Sequence, residues 1–356
     1  MRRRKEIRGS TNEVAQLHDS FFGGLSKEDR ADPSGTAKKY ALAVYGEGSM
    51  PLVDYKEKDR SRFHIGLNVD PLEFTDITKR AILVSDTLML SQDHAGEYVK
   101  LGEYSRTEQS MDGGPSFSIP SFHRVEYGMH CADIEGLGRW ILDSEQLMKR
   151  GLLWFFPPFT RSMAETKLWW SQETSFRRPV DYLIKDRRAI DASGAKPVKS
   201  KVIWPILEME IPYIDGVSLR DFSEITTSEF DSYSLFKGYL RQKLLEMDDA
   251  IEHPQSASKL AALEEEIRSG VAEVNAKMDA ASHTRWWTSS GAVFCTVTVS
   301  LTAVQDPKLL PLVAATGLSS QGIGNLYEKF RETRKKQLRG EKWYYMWTLM
   351  KDGHPL

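Results

Sequence analysis

Residues 210–222 read Glu210-Ile211-Pro212-Tyr213-Ile214-Asp215-Gly216-Val217-Ser218-Leu219-Arg220-Asp221-Phe222, and the character of the chain changes across them. The Asp215-Gly216 pair is a turn signal. Ser218 followed three residues later by Asp221 has the form of a capping box, which opens a helix. Beyond it the apolar residues Phe222, Ile225, Phe230, Tyr233, Phe236, Leu240, Leu244, Met247 and Ile251 keep helical spacing up to a turn at His253-Pro254. Leu260, Leu263, Ile267, Val271, Val274, Met278 and Ala281 then step by three and four, the seam of coiled-coil or bundle packing. The chain therefore reads as α+β: a mixed α/β domain over 38–214, then an all-α helical domain over 215–356.

Upstream of the changeover the pattern is mixed. Residues 1–37 hold the basic start Met1-Arg2-Arg3-Arg4-Lys5, Gly23-Gly24 and Asp32-Pro33-Ser34-Gly35, and read as a flexible basic arm with one short amphipathic helix around Asn12–Phe22. Tyr40–Tyr45 is a short apolar run. Ala81–Leu90 is short and aliphatic-rich and predicts a strand. Glu108–Pro120 reads as a loop around Asp112-Gly113-Gly114-Pro115. Asp133–Lys149 predicts a helix stopped at Gly151. Leu152–Phe156 predicts a buried strand ended by Pro157-Pro158. Val202–Ile214 predicts an extended segment interrupted by Pro205 and Pro212.

The helical half carries an uncharged helical hairpin, 286–327. Trp286–Gln305 has 20 residues and Leu309–Tyr327 has 19, all without charge, divided by Asp306-Pro307-Lys308. Two readings compete. As a membrane hairpin its length suits a span, with Arg285 and the basic run Lys329–Lys342 on the cytoplasmic side and Trp343–Trp347 at the interface. As a hairpin buried in protein it explains the many Ser, Thr and Gly residues, because only Leu309–Leu318 is strongly apolar. Mean hydropathy of −0.44 favours the second reading. Val293–Ala303 also alternates apolar and hydroxyl residues, a strand signal set against helical flanks. Glu246–Glu273 has eight acidic residues against two basic, and Lys329–Lys342 seven basic against two acidic, so these stretches are expected to face each other.

The bulk numbers bound the function. The chain has 356 residues, 40% hydrophobic and 28% charged, which is globular composition. With 48 basic and 50 acidic residues it lacks the net positive charge of a protein built to coat nucleic acid. Cys131 and Cys295 are far apart and outside any Cys-x-x-Cys spacing, which fits a reducing, cytoplasmic compartment. No apolar run follows the basic start, so no secretory signal is expected.

Two constellations are candidates for chemistry. His123, Glu126, His130, Cys131, Asp133 and Glu135 have side chains that ligate zinc or iron, with His123, His130 and Cys131 as the metal candidates, but without a spacing such as His-Glu-x-x-His. Ser85-Asp86-Thr87 sits in an aliphatic run, where an acidic residue can hold Mg²⁺. That run resembles the opening strand of PIN-type nucleases, over about ten residues. The resemblance implies a metal-dependent nuclease or hydrolase centred on Asp86, with Glu126, Asp133 and Asp143 as further carboxylates. The plainer reading gives Asp86 to a turn or an arginine partner. No phosphate loop or Gly-x-Ser-x-Gly elbow is present. The aromatics Trp154-Phe155-Phe156, Phe159 and Trp169-Trp170 beside Arg161, Arg177 and Arg178 form either a stacking surface for bases or, more commonly, a core with a polar rim.

Glu210–Leu219 leading into Phe230, Phe236 and Leu240-Arg241, together with the tail Trp343-Tyr344-Tyr345-Met346-Trp347-Thr348-Leu349, resembles a pattern in uncharacterised bacterial proteins. The resemblance covers the last third of the chain and implies a bacterial cytosolic origin without an activity. The reading that follows is a non-enzymatic regulatory or interaction protein whose helical domain binds a protein partner or a second copy. A metal-dependent hydrolase at Asp86, or an effector whose hairpin 286–327 meets a membrane surface, are the alternatives. No cofactor is specified.

Overall fold

The computed structural model describes residues 11–45, 63–92, 96–108, 121–165, 171–175, 180–192, 197–247, 254–288 and 338–352. Three helices come first: α1 (Thr11–Gly23), α2 (Lys27–Ala31) and α3 (Pro33–Tyr45). They are followed by β1 (His64–Val69), a 3₁₀ turn (Pro71–Glu73), α4 (Phe74–Ile82) and β2 (Thr87–Ser91). The hairpin β3 (Glu97–Glu108) and β4 (Ser121–Cys131) precedes α5 (Ile134–Asp143), α6 (Glu145–Lys149) and β5 (Leu153–Phe156). Four further strands are β6 (Phe159–Glu165), β7 (Ser171–Ser175), β8 (Tyr182–Lys185) and β9 (Arg188–Asp191). The remaining elements are helical: α7 (Pro197–Glu208), α8 (Leu219–Ser228), α9 (Phe230–Leu245), α10 (Pro254–Thr288) and α11 (Tyr344–Asp352).

One sheet has the order β5-β2-β1-β8-β9 and the other β3-β4-β6-β7. In the first, β5, β2, β1 and β8 are parallel and β9 returns antiparallel to β8. Parallel strands need crossovers, and α4 supplies the one from β1 to β2. The register aligns Leu67, Leu88, Leu90, Leu153, Phe155 and Tyr182 on one face. There the Phe155 ring meets Phe74 at 5.7 Å and Trp140 at 5.4 Å. Burying such side chains contributes about 2–3 kcal/mol each. The free edge of β5 is closed by α3, whose Tyr40 hydroxyl donates to the Phe155 carbonyl at 3.1 Å and whose Tyr45 hydroxyl donates to that of Pro157.

Several expectations change. Residues 11–37 are not a loose arm: they lie in or between helices that bury Val14, His18, Phe22, Thr36 and Ala37. Asn12–Phe22 falls within α1, as its amphipathic pattern implied. Ala81–Leu90 is not one strand. Ala81 and Ile82 end α4, Leu83–Asp86 turn, and only Thr87 onward is β. The run is buried on all sides, so it has no periodicity to mark the break. Val202–Ile214 is not extended either: α7 runs to Glu208 with Pro205 inside it. Val202, Ile203, Ile206 and Leu207 form a helical face in the core, and that burial outweighs the hydrogen bond that proline removes. The helix expected over 133–149 breaks at Ser144, and the one from Ser218 breaks at Glu229.

Other local signals match the structure. Ser218 caps α8, accepting from the Asp221 N–H at 3.1 Å. Leu153–Phe156 is a buried strand. Gly151 follows α6 with φ +74°, a left-handed backbone suited to glycine. Trp154, Phe155, Phe156 and Phe159 are core. Residues 286–288 close α10, and the rest of the hairpin 286–327 lies outside the described residues, as do 109–120. Among the described residues no helix is long and apolar enough to cross a membrane. The two oppositely charged stretches touch through Lys342 and Glu266 at 3.4 Å, and Arg339 reaches Glu229 at 2.6 Å.

Candidate functional site

Asp86 stands just before β2, at the amino end of the parallel strands. Its neighbours are fixed by the turn after α4, where the Ser85 hydroxyl donates to the Ala81 carbonyl at 2.8 Å. The Asp86 N–H donates to the Phe63 carbonyl, and the Phe63 N–H returns a bond to Oδ2, both at 2.9 Å. Lys237 and Arg241, one turn apart on α9, then close on the carboxylate. Lys237 Nζ lies 2.8 Å from Oδ1, Arg241 Nη2 2.8 Å from Oδ1 and Nη1 3.3 Å from Oδ2. Arg241 Nε also donates to the Val84 carbonyl at 2.7 Å, and its guanidinium lies 4.9 Å over the Phe63 ring.

The electrostatics follow from this geometry. Burial by itself raises the Asp86 carboxyl pKa, but the Arg241 and Lys237 cations and the Phe63 N–H outweigh it. Together they hold the carboxyl well below the usual carboxylate range. Both oxygens are occupied by protein donors. In open α/β sheets ligands collect beyond the carboxyl ends of the strands, and Asp86 is at the opposite end. What the cluster can do is tie β2 to α9; it has no free oxygen to offer a metal.

The other carboxylates lie elsewhere. Glu126 is on β4 opposite Glu103, 3.2 Å from Lys100, which also pairs with Glu103. Asp133 caps α5 by accepting the Gly136 N–H at 2.8 Å. Asp143 accepts Arg220 Nη2 at 2.9 Å. His130 is the penultimate residue of β4, with its ring 5.5 Å from Tyr98. Cys131 is the next residue, so it points to the other face; it is buried, and burial pushes its thiol pKa up. His123 is placed opposite Arg106 and Glu165. At about 3.3 Å per residue, His123 and His130 are about 23 Å apart along the strand, and Glu126 and His130 about 13 Å. The expected metal set is therefore not brought together. Among the described residues no three of His, Cys, Asp or Glu gather at metal-ligand reach.

The sequence did not reveal the partners of Asp86. Lys237 and Arg241 stand four apart on the helix that buries Tyr233, Phe236, Leu240 and Leu244, a spacing that could have flagged them. Lys79 and Arg80, directly before the Ala81–Leu90 run, form a second cationic pair with a structural task. They are nearly fully buried near the end of α4 and hold the 209–217 turn. Lys79 Nζ donates to the carbonyls of Ile214 at 2.7 Å and Val217 at 3.1 Å. Arg80 reaches Asp76 and Asp215, each at 3.0 Å, and the Met209 carbonyl.

Among the described residues, the edge hairpin β8–β9 is where two exposed large aliphatic side chains meet across a strand pair. Leu183 and Ile190 sit directly opposite each other and are 40% and 54% exposed. Lys185 and Arg188 form the next pair along that face, both exposed. Asp186 and Arg187 turn the hairpin with φ +51° and +59°, an uncommon backbone for either residue. Glu73 accepts the Arg187 N–H at 3.2 Å and Asp76 pairs with Arg187 Nε at 3.0 Å, which pins the turn to the 3₁₀ turn and α4.

Compared with known proteins, the chain matches no family model, no curated protein and no solved structure.

Proposed function

We propose that the chain is a non-enzymatic interaction protein, and that the hairpin β8–β9 receives an extended segment of a protein partner carrying apolar and acidic side chains. The observation that carries this reading is the exposed Leu183–Ile190 pair. Apolar contact is met by that pair and acidic side chains by Lys185 and Arg188 beside it. β9 is the outermost strand of its sheet, the position at which strand addition occurs. The pinned turn supports the reading further, because a face that is already rigid loses little entropy on binding. The helical half was expected to hold the partner surface, but its main apolar stripe on α9 is turned into the core.

The experiment places a photo-crosslinking amino acid at Ile190, identifies the captured protein, and measures its affinity in purified form. The double variant Leu183→Glu with Ile190→Glu is expected to weaken that affinity at least tenfold, by setting charge in an apolar contact. A purified partner that binds the folded double variant as tightly as the native chain refutes the reading.

A further inference from the structure

A second feature lies away from that hairpin, between α1, α6 and α8. It is a cleft of about 470 Å³, within the size range of small-molecule sites. Its polar groups divide into two kinds. Lys149 is already committed to Asp19 at 3.3 Å and Glu145 at 3.5 Å. Arg150 and Glu224, which also line the cleft, form no ion pair with any described residue.

Arg150 is nevertheless fixed. Its guanidinium stacks 4.3 Å over the Phe230 ring. Stacking occupies the flat face of the guanidinium and leaves its edge of N–H donors open, the arrangement that suits a carboxylate fork. On the α8 side, Thr227 Oγ1 donates to the Ser223 carbonyl at 2.9 Å and Ser228 Oγ to that of Ile225 at 3.2 Å. Each hydroxyl has then used its proton and offers only lone pairs. With the Glu224 carboxylate, these oxygens add acceptors to the same cleft that the Arg150 donor lines. With Lys149 and Asp19 paired to each other, a purely anionic ligand would meet Glu224 and a purely cationic one would meet Arg150. The arrangement favours a molecule carrying both charges.

We propose that this cleft binds a small zwitterion of the α-amino acid class, its carboxylate on Arg150 and its ammonium against Glu224 and the Thr227 and Ser228 hydroxyls. The test titrates the full chain with each standard L-amino acid by calorimetry and ligand-observed NMR. N-acetylated and C-amidated forms of any that bind serve as single-charge controls. Saturable binding of at least one amino acid is expected, lost in both blocked forms. Arg150→Gln and Glu224→Gln should each weaken it at least tenfold. Both side chains are exposed, so the melting temperature without ligand should hold; if Arg150→Gln fails to fold, Glu224→Gln and Arg150→Lys decide. No binding by any amino acid, equal binding of the blocked forms, or unchanged affinity in the folded variants overturns the proposal.

Discussion

Replacing Asp86 by alanine separates a structural carboxylate from a catalytic one. In the native chain Lys237 and Arg241 meet on this carboxylate with side-chain exposures of 13% and 21%, and Asp86 itself is 28% exposed. Removing it leaves two half-desolvated cations facing each other across the space that it filled. Breaking a fully buried pair costs about 3–5 kcal/mol, and the residual access of water here brings the expected loss to about 3 kcal/mol. At about 2 °C per kcal/mol for a chain of this size, the melting temperature should fall by about 6 °C. Asp86→Asn keeps an acceptor for the Phe63 N–H and should lose less. In a background where Lys237 and Arg241 are both methionine, Asp86→Ala should cost much less, because no cation is then stranded.

The pH dependence of the same cluster has a definite sign. The carboxyl pKa is held down in the folded chain and is near 4 in the unfolded one, so the unfolded chain takes up the proton first. The stabilisation is present above about pH 4 and is lost as the pH falls toward the folded value. Denaturant unfolding followed by circular dichroism measures both effects. If Asp86→Ala unfolds within about 1 kcal/mol of the native chain, the clamp is not structural and the carboxylate must be explained by another role.

Two further outcomes test the packing. His18 is fully buried, with Nδ1 3.0 Å from the Met148 carbonyl, and burial pushes its pKa down to about 4 despite that bond. The unfolded imidazole protonates near 6.5, so stability is complete above that pH and falls as the pH drops toward 4. Between pH 7 and pH 5 the loss should be about 2 kcal/mol and should be absent in His18→Gln, as measured by urea unfolding at each pH. Gly138→Ala would set a Cβ 1.9 Å from the Pro33 carbonyl oxygen, where α3 and α5 touch through backbone, whereas Gly238→Ala on α9 meets nothing within 4 Å. Gly138→Ala should cost about 2–3 kcal/mol and Gly238→Ala should gain up to about 1 kcal/mol, read as melting shifts of opposite sign.

The elements legible in the sequence were those whose signal is local. A Ser at a helix start, a glycine at a helix end and a four-residue aromatic strand before two prolines each depend on neighbours within one turn, and each was found. The losses came where burial on all sides erased periodicity. Ala81–Leu90 runs from the end of α4 through a turn into β2 with nearly every residue buried, so its composition does not mark where helix gives way to strand, and in Val202–Leu207 the helical face is masked by Pro205. Residues 11–37 failed for the converse reason. Their charges are real, but Arg30 is held by Glu145, which is 115 positions away in sequence.

The candidate site failed in the same way, and the cause is the seam between the two halves of the chain. In sequence, Ala81–Leu90 reads as a strand carrying the acidic Asp86, which is how a metal site begins, and Val202–Ile214 reads as an extended segment ending at the Asp215-Gly216 turn. In three dimensions they belong to one joint: Lys79 and Arg80 hold the carbonyls and Asp215 of that turn, Tyr233 donates to Ile82 at 2.8 Å, and Arg241 holds Val84 and Asp86. A strand that starts beneath helices has backbone carbonyls and a capping carboxylate that must find donors away from water. Long cationic side chains are the groups that can reach them while burying their own stems. A buried α/β core covered by helices therefore places acids and bases together at strand ends for reasons of packing. Such a cluster marks chemistry only when one of its polar atoms is left without a protein partner. At Asp86 none is; in the cleft beside Phe230, Arg150 and Glu224 form no ion pair with any described residue.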